Sequence, residues 1–249
     1  MGAAFRAEWI KFRSLRSLVG LDLAAAVVTL AITYLHCHGY HLSRTDNAAA
    51  ISMFGITLGM FFAGLAGALL ATSEHASGTI AATIAAVPRR GRVAAAKTAL
   101  IAGTGLTAGT VIALGSFLLG QAAFASSPLR ESLSSPGALR VILGGGLVLT
   151  LVSLLGLGLG LLFRRAVAAM STLVVLLYLL PLVTAALSAA TRRVIVRYMP
   201  DQLVGPILAG HQTSGIAPSL NPWAALAVLV AEICLTLICG AAVLARRDV

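Results

Sequence analysis

Six long runs of apolar residues constrain this chain more than any other feature of its sequence. They are approximately Leu18–Leu35, Ile51–Ala71, Thr98–Phe124, Leu139–Phe163, Ala166–Leu187 and Trp223–Leu244. A helix of about 20 residues crosses the roughly 30 Å hydrocarbon core of a bilayer. None of the runs alternates in polarity as the strands of a membrane β-barrel do. The runs therefore predict an all-α integral membrane protein with six transmembrane helices, because helices satisfy their own backbone hydrogen bonds.

The composition indicates the same solvent. Hydrophobic residues make up 59% of the 249 residues and charged residues only 10%, whereas a soluble domain averages about 25% charged residues. Too few polar side chains are present to cover an apolar core in water. We therefore interpret residues 1–249 as a single transmembrane domain.

The first run follows basic residues, as the apolar part of a signal peptide does. The apolar part of a signal peptide typically has about 7–15 residues, and this run is longer. The residues after it, Tyr34-Leu35-His36-Cys37-His38, lack the small residues of a cleavage site. We expect the first run to be an uncleaved span.

Lysine and arginine in the connecting segments predict the orientation, since positively charged loops tend to stay in the cytoplasm. With both termini inside, the inner segments hold 12 of these residues and the outer segments hold 6. The inner residues are Arg6, Lys11, Arg13, Arg16, Arg89, Arg90, Arg92, Lys97, Arg164, Arg165, Arg246 and Arg247. The expected topology is N-in and C-in. The net charge of +10 is then explained by anionic lipids and needs no nucleic-acid partner.

The segment before the first run, residues 1–17, has a pattern of its own. Phe5, Trp9 and Phe12 recur at helical spacing, which is typical of an amphipathic helix. Basic residues lie off this stripe, among them Lys11 and Arg13. The pattern predicts an amphipathic helix on the inner membrane surface. A generic basic flank is the alternative, although it would not require aromatic residues at this spacing.

Residues 73–97, between the second and third runs, contain a second patterned segment. Helix-forming residues from Ile80 to Val87 are followed by Pro88 and Gly91, which favour the end of a helix. We predict a short helix outside the bilayer that a soluble partner could bind.

Several motifs along the chain resemble those of one transporter family. Glu74 with Ser77-Gly78-Thr79, the Pro88-Arg89-Arg90-Gly91-Arg92 turn and Lys97 resemble the coupling loop of ABC-2 type permeases. The opening Glu8–Ser17 resembles the N-terminal connecting helix of that family, and Arg246-Arg247-Asp248 resembles its ending. Each motif is short, but their order relative to six spans is more specific, and the resemblance covers the whole chain.

The resemblance implies a permease subunit of the bacterial plasma membrane that exports a substrate. It implies a homodimer that binds a separate ABC ATP-binding subunit, with ATP and Mg bound on that partner. It also implies a set of residues at or near the contact with the ATP-binding subunit. These are Glu74, Ser77, Gly78, Thr79, Pro88 and Arg89.

The sequence offers no ATP site of its own. A P-loop requires Gly-Lys followed by Ser or Thr. The two lysines, Lys11 and Lys97, follow Ile10 and Ala96 instead. We therefore expect no enzymatic activity and no bound cofactor in this chain.

One acidic residue, Glu232, lies near the middle of the last run, where a carboxylate is costly. It either packs as a protonated or hydrogen-bonded group, or takes part in substrate or proton movement. The second interpretation favours the alternative function, a six-span secondary transporter or channel. An intramembrane enzyme is disfavoured because the five histidines lie outside the predicted runs.

Metal-capable side chains crowd the end of the first run, at His36, Cys37, His38 and His41. Adjacent residues rarely converge on one ion without a loop to fold them. We expect an ordinary polar loop here and no metal site.

Glycine pairs at GxxxG spacing occur in three of the runs. They are Gly55/Gly59, Gly105/Gly109 and Gly156/Gly160. This spacing permits close helix contact. We take the pairs to indicate tight packing without indicating a dimer face.

The longest predicted outer segment is residues 188–222. It contains the stretch Arg192–Tyr198, a Pro200-Asp201 turn and the apolar piece Leu203–Leu208. These features predict short surface helices rather than a disordered linker.

Overall fold

The structure is a computed structural model of the whole chain, and we describe the parts of it whose placement is defined. These are residues 9–10, 12, 16–43, 46–79, 90–125, 127–135, 137–184, 186, 188, 196–209 and 220–246. The described residues are mainly helical and contain no strand. The all-α prediction is therefore confirmed for this part of the chain.

Six of the helices are long and apolar enough to cross a membrane, as the apolar runs predict. We number them as spans in chain order. The first to third spans are Arg16–Gly39, Ile56–Ala76 and Arg90–Ala123, and the fourth to sixth are Ala138–Phe163, Ala166–Thr184 and Pro222–Arg246. Six such helices among the described residues agree with the predicted number, whereas several predicted boundaries are wrong by a turn or more.

The boundary errors have physical reasons. The third span begins at Arg90, well before the predicted Thr98, and Gly91 lies inside it instead of ending a helix. A glycine in the first turn is tolerated because the first four backbone N–H groups of a helix have no intrahelical acceptor. The second span begins late because Asn47 starts a separate short helix, Ala48–Ile51, by accepting a hydrogen bond from Ala50 N at 2.9 Å.

Successive spans alternate in direction. Lys97 of the third span therefore lies beside Glu74 of the second, and Arg164, just after the fourth span, reaches Val243 near the end of the sixth. Arg16 and Arg246, where the first span begins and the last span ends, share this end of the bundle, which we call the basic end. The opposite end, at which the second, fourth and sixth spans begin, is the far end.

The fourth span is the central helix of the bundle. In its most apolar stretch 78% of the residues are buried, against 17% for the fifth and for the sixth span. Glycines let its backbone touch its neighbours: a Cβ at Gly156 would overlap the backbone of Gly64 in the second span, and one at Gly240 would lie 2.8 Å from the carbonyl oxygen of Gly158. Such contacts position helices in a bilayer, where apolar surface alone does not drive association.

The three GxxxG pairs all face other spans of the same chain. The Gly55/Gly59 pair meets Thr29 of the first span, the Gly105/Gly109 pair meets the fourth span, and the Gly156/Gly160 pair meets the second. The prediction that these pairs indicate tight packing is confirmed, and their contacts lie inside the chain.

Several buried hydroxyl groups in the spans are satisfied within their own helix. Thr72, Thr150 and Ser153 each donate to the carbonyl oxygen four residues earlier, at 2.9, 2.7 and 2.9 Å. A hydroxyl group bonded in this way needs no hydrogen-bond partner on another helix. The close contacts around the fourth span can therefore include threonine and serine.

The fifth span contains a π-helical turn at Val175–Leu179. Pro181 follows it, and a proline both lacks an N–H and crowds the carbonyl four residues earlier, which here belongs to Leu177. The wider turn accommodates that missing hydrogen bond. Beside it, the Tyr178 hydroxyl donates to Thr57 O at 2.7 Å and so connects the fifth span to the second.

Between the fifth and sixth spans the described residues form a 3-10 turn, Val196–Tyr198, and a helix, Pro200–Ala209, which we call the cap helix. The prediction of short helices in residues 188–222 is confirmed for these positions, and residues 189–195 and 210–219 lie outside the described part. The cap helix does not simply lie on the surface, because Leu203 and Ile207 are buried. It packs against the fourth span near Gly144.

The glycine contacts predict a matched difference in stability. Gly156→Ala places a Cβ on the backbone of Gly64, whereas Gly103→Ala meets nothing within 4 Å. We expect Gly156→Ala to lower the free energy of unfolding by about 1–3 kcal/mol, as overpacked substitutions do, and Gly103→Ala to leave it nearly unchanged. Graded unfolding in SDS measures both, and equal stability of the two variants would contradict the packing described.

Candidate functional site

The second span ends in an exposed turn at the basic end. The Ser77 hydroxyl donates to Ser73 O at 2.9 Å, and the hydroxyl oxygens of Ser77 and Thr79 lie 2.9 Å apart. Gly78 between them has a φ of +70°, which glycine adopts without the strain that a Cβ causes. The Ser-Gly-Thr sequence thus ends the helix, satisfies one of its last carbonyls and leaves all three residues exposed.

Just inside this turn a buried ion pair joins the second and third spans. Lys97 Nζ lies 3.4 Å from Glu74 Oε2, and the two side chains are only 3% and 6% exposed. Lys97 also donates to Leu70 O at 3.4 Å. The pair therefore connects the two helices that flank residues 77–89.

The ion pair restricts the register in which the second and third spans can pack. Burying either charge alone is very costly, while a well-matched pair recovers much of that penalty. The second and third spans are consequently stable side by side only in a register that keeps Glu74 next to Lys97.

The predicted contact residues divide into three groups. Ser77, Gly78 and Thr79 are exposed at the basic end and available to another protein. Glu74 is 5% exposed, so in this structure its side chain faces Lys97. Pro88, Arg89 and the predicted helix from Ile80 to Val87 lie outside the described residues.

The partnership of Glu74 with Lys97 was not part of the sequence prediction, although both residues were noted. An acid just before the loop and a lysine shortly after it were the available signal. Two opposite charges placed at the same end of adjacent antiparallel helices come within reach of each other. The same parts of the two helices carry buried apolar residues such as Leu70 and Leu100.

Arg164 is a second residue whose role sequence reasoning missed. It ends the fourth span with a φ of 58°, a left-handed conformation that is unusual for a residue with a Cβ. Its guanidinium donates to Val243 O at 3.0 Å, close to the end of the sixth span. A cation at a helix C-terminus is favourable, so Arg164 fixes the end of the sixth span against the end of the fourth.

Glu232 lies in the middle of the sixth span and is half-buried. Its Oε2 is buried and accepts no hydrogen bond from the described residues. Of the two packing arrangements predicted from the sequence, hydrogen-bonded or protonated, the hydrogen-bonded one is not seen at Oε2 among the described residues.

The metal-capable residues at the end of the first span point in different directions. The His36 ring stacks on Phe54, Cys37 is buried, and the His38 ring meets the edge of Tyr34. His36, Cys37 and His38 lie in the last turn of the first span, so the prediction of a loop there is wrong. Among the described residues no cluster of metal-binding side chains is found.

The predicted amphipathic helix at the N-terminus is described at three positions. Trp9, Ile10 and Phe12 are helical, and the Trp9 and Phe12 rings stack with centroids 6.2 Å apart. Phe5, Lys11 and Arg13 lie outside the described residues. The surface helix therefore stays a prediction.

Comparison with known proteins adds no identification. A scan against protein-family models finds no match. A search of curated proteins likewise finds none.

The ion pair predicts strong coupling between two substitutions. Glu74→Gln and Lys97→Met should each destabilise the protein by about 3–5 kcal/mol, because each leaves one buried charge uncompensated. The double variant removes both charges, so it should lose less stability than the sum of the two, by about 0.5–3 kcal/mol. SDS unfolding of the four proteins measures this coupling, and strictly additive effects would contradict a direct interaction.

Proposed function

We propose that this chain is the membrane-spanning subunit of an ABC-2 type transporter, which moves a substrate across the bacterial plasma membrane. The observation that supports it best is the arrangement at the basic end. An exposed Ser77-Gly78-Thr79 turn lies directly beside the buried Glu74–Lys97 pair. A protein that binds the turn would therefore act on two spans that are already held together.

Contacts between the spans would transmit a force on the turn to the rest of the bundle. The second span contacts the fourth through Gly64 and Gly67, and the third contacts the fourth through Gly109. Backbone contacts of this kind do not deform easily, because interiors are close-packed. A displacement of the turn would therefore be passed through the second and third spans to the fourth, and a concerted movement of packed helices is the kind of motion that alternating access requires.

The energy for this motion is proposed to come from a separate subunit. The chain lacks the Gly-Lys-Ser/Thr sequence of a P-loop, so ATP and Mg would bind to an ABC ATP-binding subunit docked on the basic end. A second copy of the permease would complete the assembly. Export is the proposed direction.

The proposed orientation places the basic end in the cytoplasm. Arg16, Arg92, Lys97, Arg164 and Arg165 belong to this end in the described structure. The positive-inside rule favours that side for such residues. Both termini would then lie inside, with residues 1–17 on the inner surface of the membrane.

A pair of glycines at the basic end tests the coupling proposal. A Cβ at Gly78 or at Gly91 meets nothing within 4 Å, but only Gly78 has a positive φ. Gly78→Ala therefore strains the turn by about 1–2 kcal/mol or changes its shape, whereas Gly91→Ala does neither. We expect Gly78→Ala to reduce both retention of an ABC ATPase in pull-down and stimulation of its ATP turnover, with normal membrane insertion.

The assay needs an ABC ATPase as partner, and an ATPase reading frame adjacent to the chain's gene would supply it for co-expression. Gly91→Ala is the control and should behave as the wild type. Gly78→Asn should retain much of the interaction, since asparagine tolerates a left-handed backbone better than alanine. Wild-type binding and turnover in Gly78→Ala would exclude the turn from the mechanism.

A secondary transporter or channel is the second candidate, and Glu232 is the observation that favours it. Its buried Oε2 has no hydrogen-bond donor among the described residues, and an ionisable group inside a span is a candidate site for a proton or a cation. The proposed permease needs no ionisable group at this position. Glu232→Gln should thus keep ATP-driven transport, because the amide preserves shape and hydrogen-bonding capacity.

Transport into inverted vesicles, with and without ATP, distinguishes the two candidates. Retained ATP-dependent uptake in Glu232→Gln is the expected result. Uptake that needs a proton gradient instead of ATP, and that is abolished in this variant at normal expression, would identify a carrier.

A further inference from the structure

A cleft of about 550 Å³ opens at the far end of the bundle. It lies between the end of the first span, the start of the second, the π turn of the fifth and the cap helix. Six of its lining residues are His36, Tyr40, Phe54, Met60, Asp201 and Leu208. Its size falls in the range of small-molecule sites, about 300–1,000 Å³.

One wall of the cleft is aromatic. The His36 and Phe54 rings stack with centroids 3.9 Å apart and planes inclined by 13°, and Tyr40 lies 5.4 Å from His36. Met60 and Leu208 add apolar surface. Such a wall suits an aromatic or alkyl group, and aromatic faces also attract cations.

Asp201 of the cap helix also lines the cleft, and one of its two carboxylate oxygens has no donor among the described residues. Asp201 Oδ2 accepts a hydrogen bond from Gln202 Nε2 at 2.6 Å, while the buried Oδ1 accepts none from the described residues. Burial raises the pKa of Asp201. An acid in the first turn of a helix is common because of the helix dipole, but that alone does not explain why this one lines a cleft.

Among the described lining residues of the cleft, Asp201 is the one acid and His36 the one basic ring. No lysine or arginine is among its described lining residues. Behind the aromatic wall a second carboxylate, Asp46, accepts a hydrogen bond from the Tyr40 hydroxyl at 3.3 Å. The nearby Arg197 guanidinium lies over the ring of Tyr198, 5.7 Å from its centroid. A cleft lined by one sign of charge attracts ligands of the opposite sign.

We propose that this cleft binds small amphipathic organic cations, with the ammonium group on Asp201 and the apolar body against His36 and Phe54. A small rotation of the Asp201 carboxylate turns Oδ1 toward the ligand, which supplies the missing donor. The inference does not depend on the proposed transport mechanism, because binding requires neither ATP nor a partner protein.

Three probes of nearly equal shape test the proposal on the full chain in nanodiscs of zwitterionic lipid. They are 4-phenylbutylamine, 4-phenylbutan-1-ol and 4-phenylbutyrate, which are cationic, neutral and anionic at neutral pH. Isothermal titration calorimetry, corrected with empty nanodiscs, should show the amine binding at least about tenfold more tightly than the alcohol, equivalent to about 1.4 kcal/mol. The carboxylate should bind most weakly.

Two variants test separately the contributions of the carboxylate charge and of the aromatic wall to binding. Asp201→Asn should abolish the preference for the amine over the alcohol, and Phe54→Ala should weaken both. Glu131→Gln, an acid at the far end outside the cleft lining, is the control and should keep the preference. The thermal unfolding midpoint checks that each variant is folded.

Equal affinity of wild type and folded Asp201→Asn for the amine would overturn the proposal. So would amine binding that does not exceed partition into empty nanodiscs. Because no ATPase is present, neither result affects the proposed permease function.

Discussion

Backbone contact along the fourth span is the constraint on which the rest of the structure depends. In a bilayer, lipid tails solvate apolar side chains as well as another helix does, so helices associate through close packing. Gly156 and Gly158 allow the second and sixth spans to approach the fourth closely, and Gly109 does so for the third. The turn at Gly78 and the cleft at the far end take their positions from this core, since each is built on spans that the fourth holds in place.

The Glu74–Lys97 pair adds specificity to packing that is otherwise made of small residues. Glycine contacts tolerate a shift of one helical turn better than a buried charge does, because a displaced charge would lose its partner in an apolar medium. The pair thus selects one register for the second and third spans. The pair favours this register even though its net contribution to the free energy of unfolding is small, because the cost of desolvating the two charges offsets their attraction.

Hydropathy was sufficient to find the spans but not their ends. Helices continue past the apolar residues, as at Arg90 and Gly39, because hydropathy reports solubility in lipid and not hydrogen bonding. The special backbone angle at Gly78 could be anticipated from a lone glycine after a helix. The inward direction of Glu74 and the far-end cleft could not, since both arise where distant segments of the chain meet.

The π turn in the fifth span changes the geometry beyond it. One extra residue in a turn shifts the helical phase of everything that follows by about 100°. Leu180–Thr184 therefore presents different faces from those that an uninterrupted helix starting at Ala166 would present. The two halves of this span therefore turn different faces to their neighbours: the half at the basic end packs Leu173 against Gly64, and the half at the far end is rotated from it by this fixed offset.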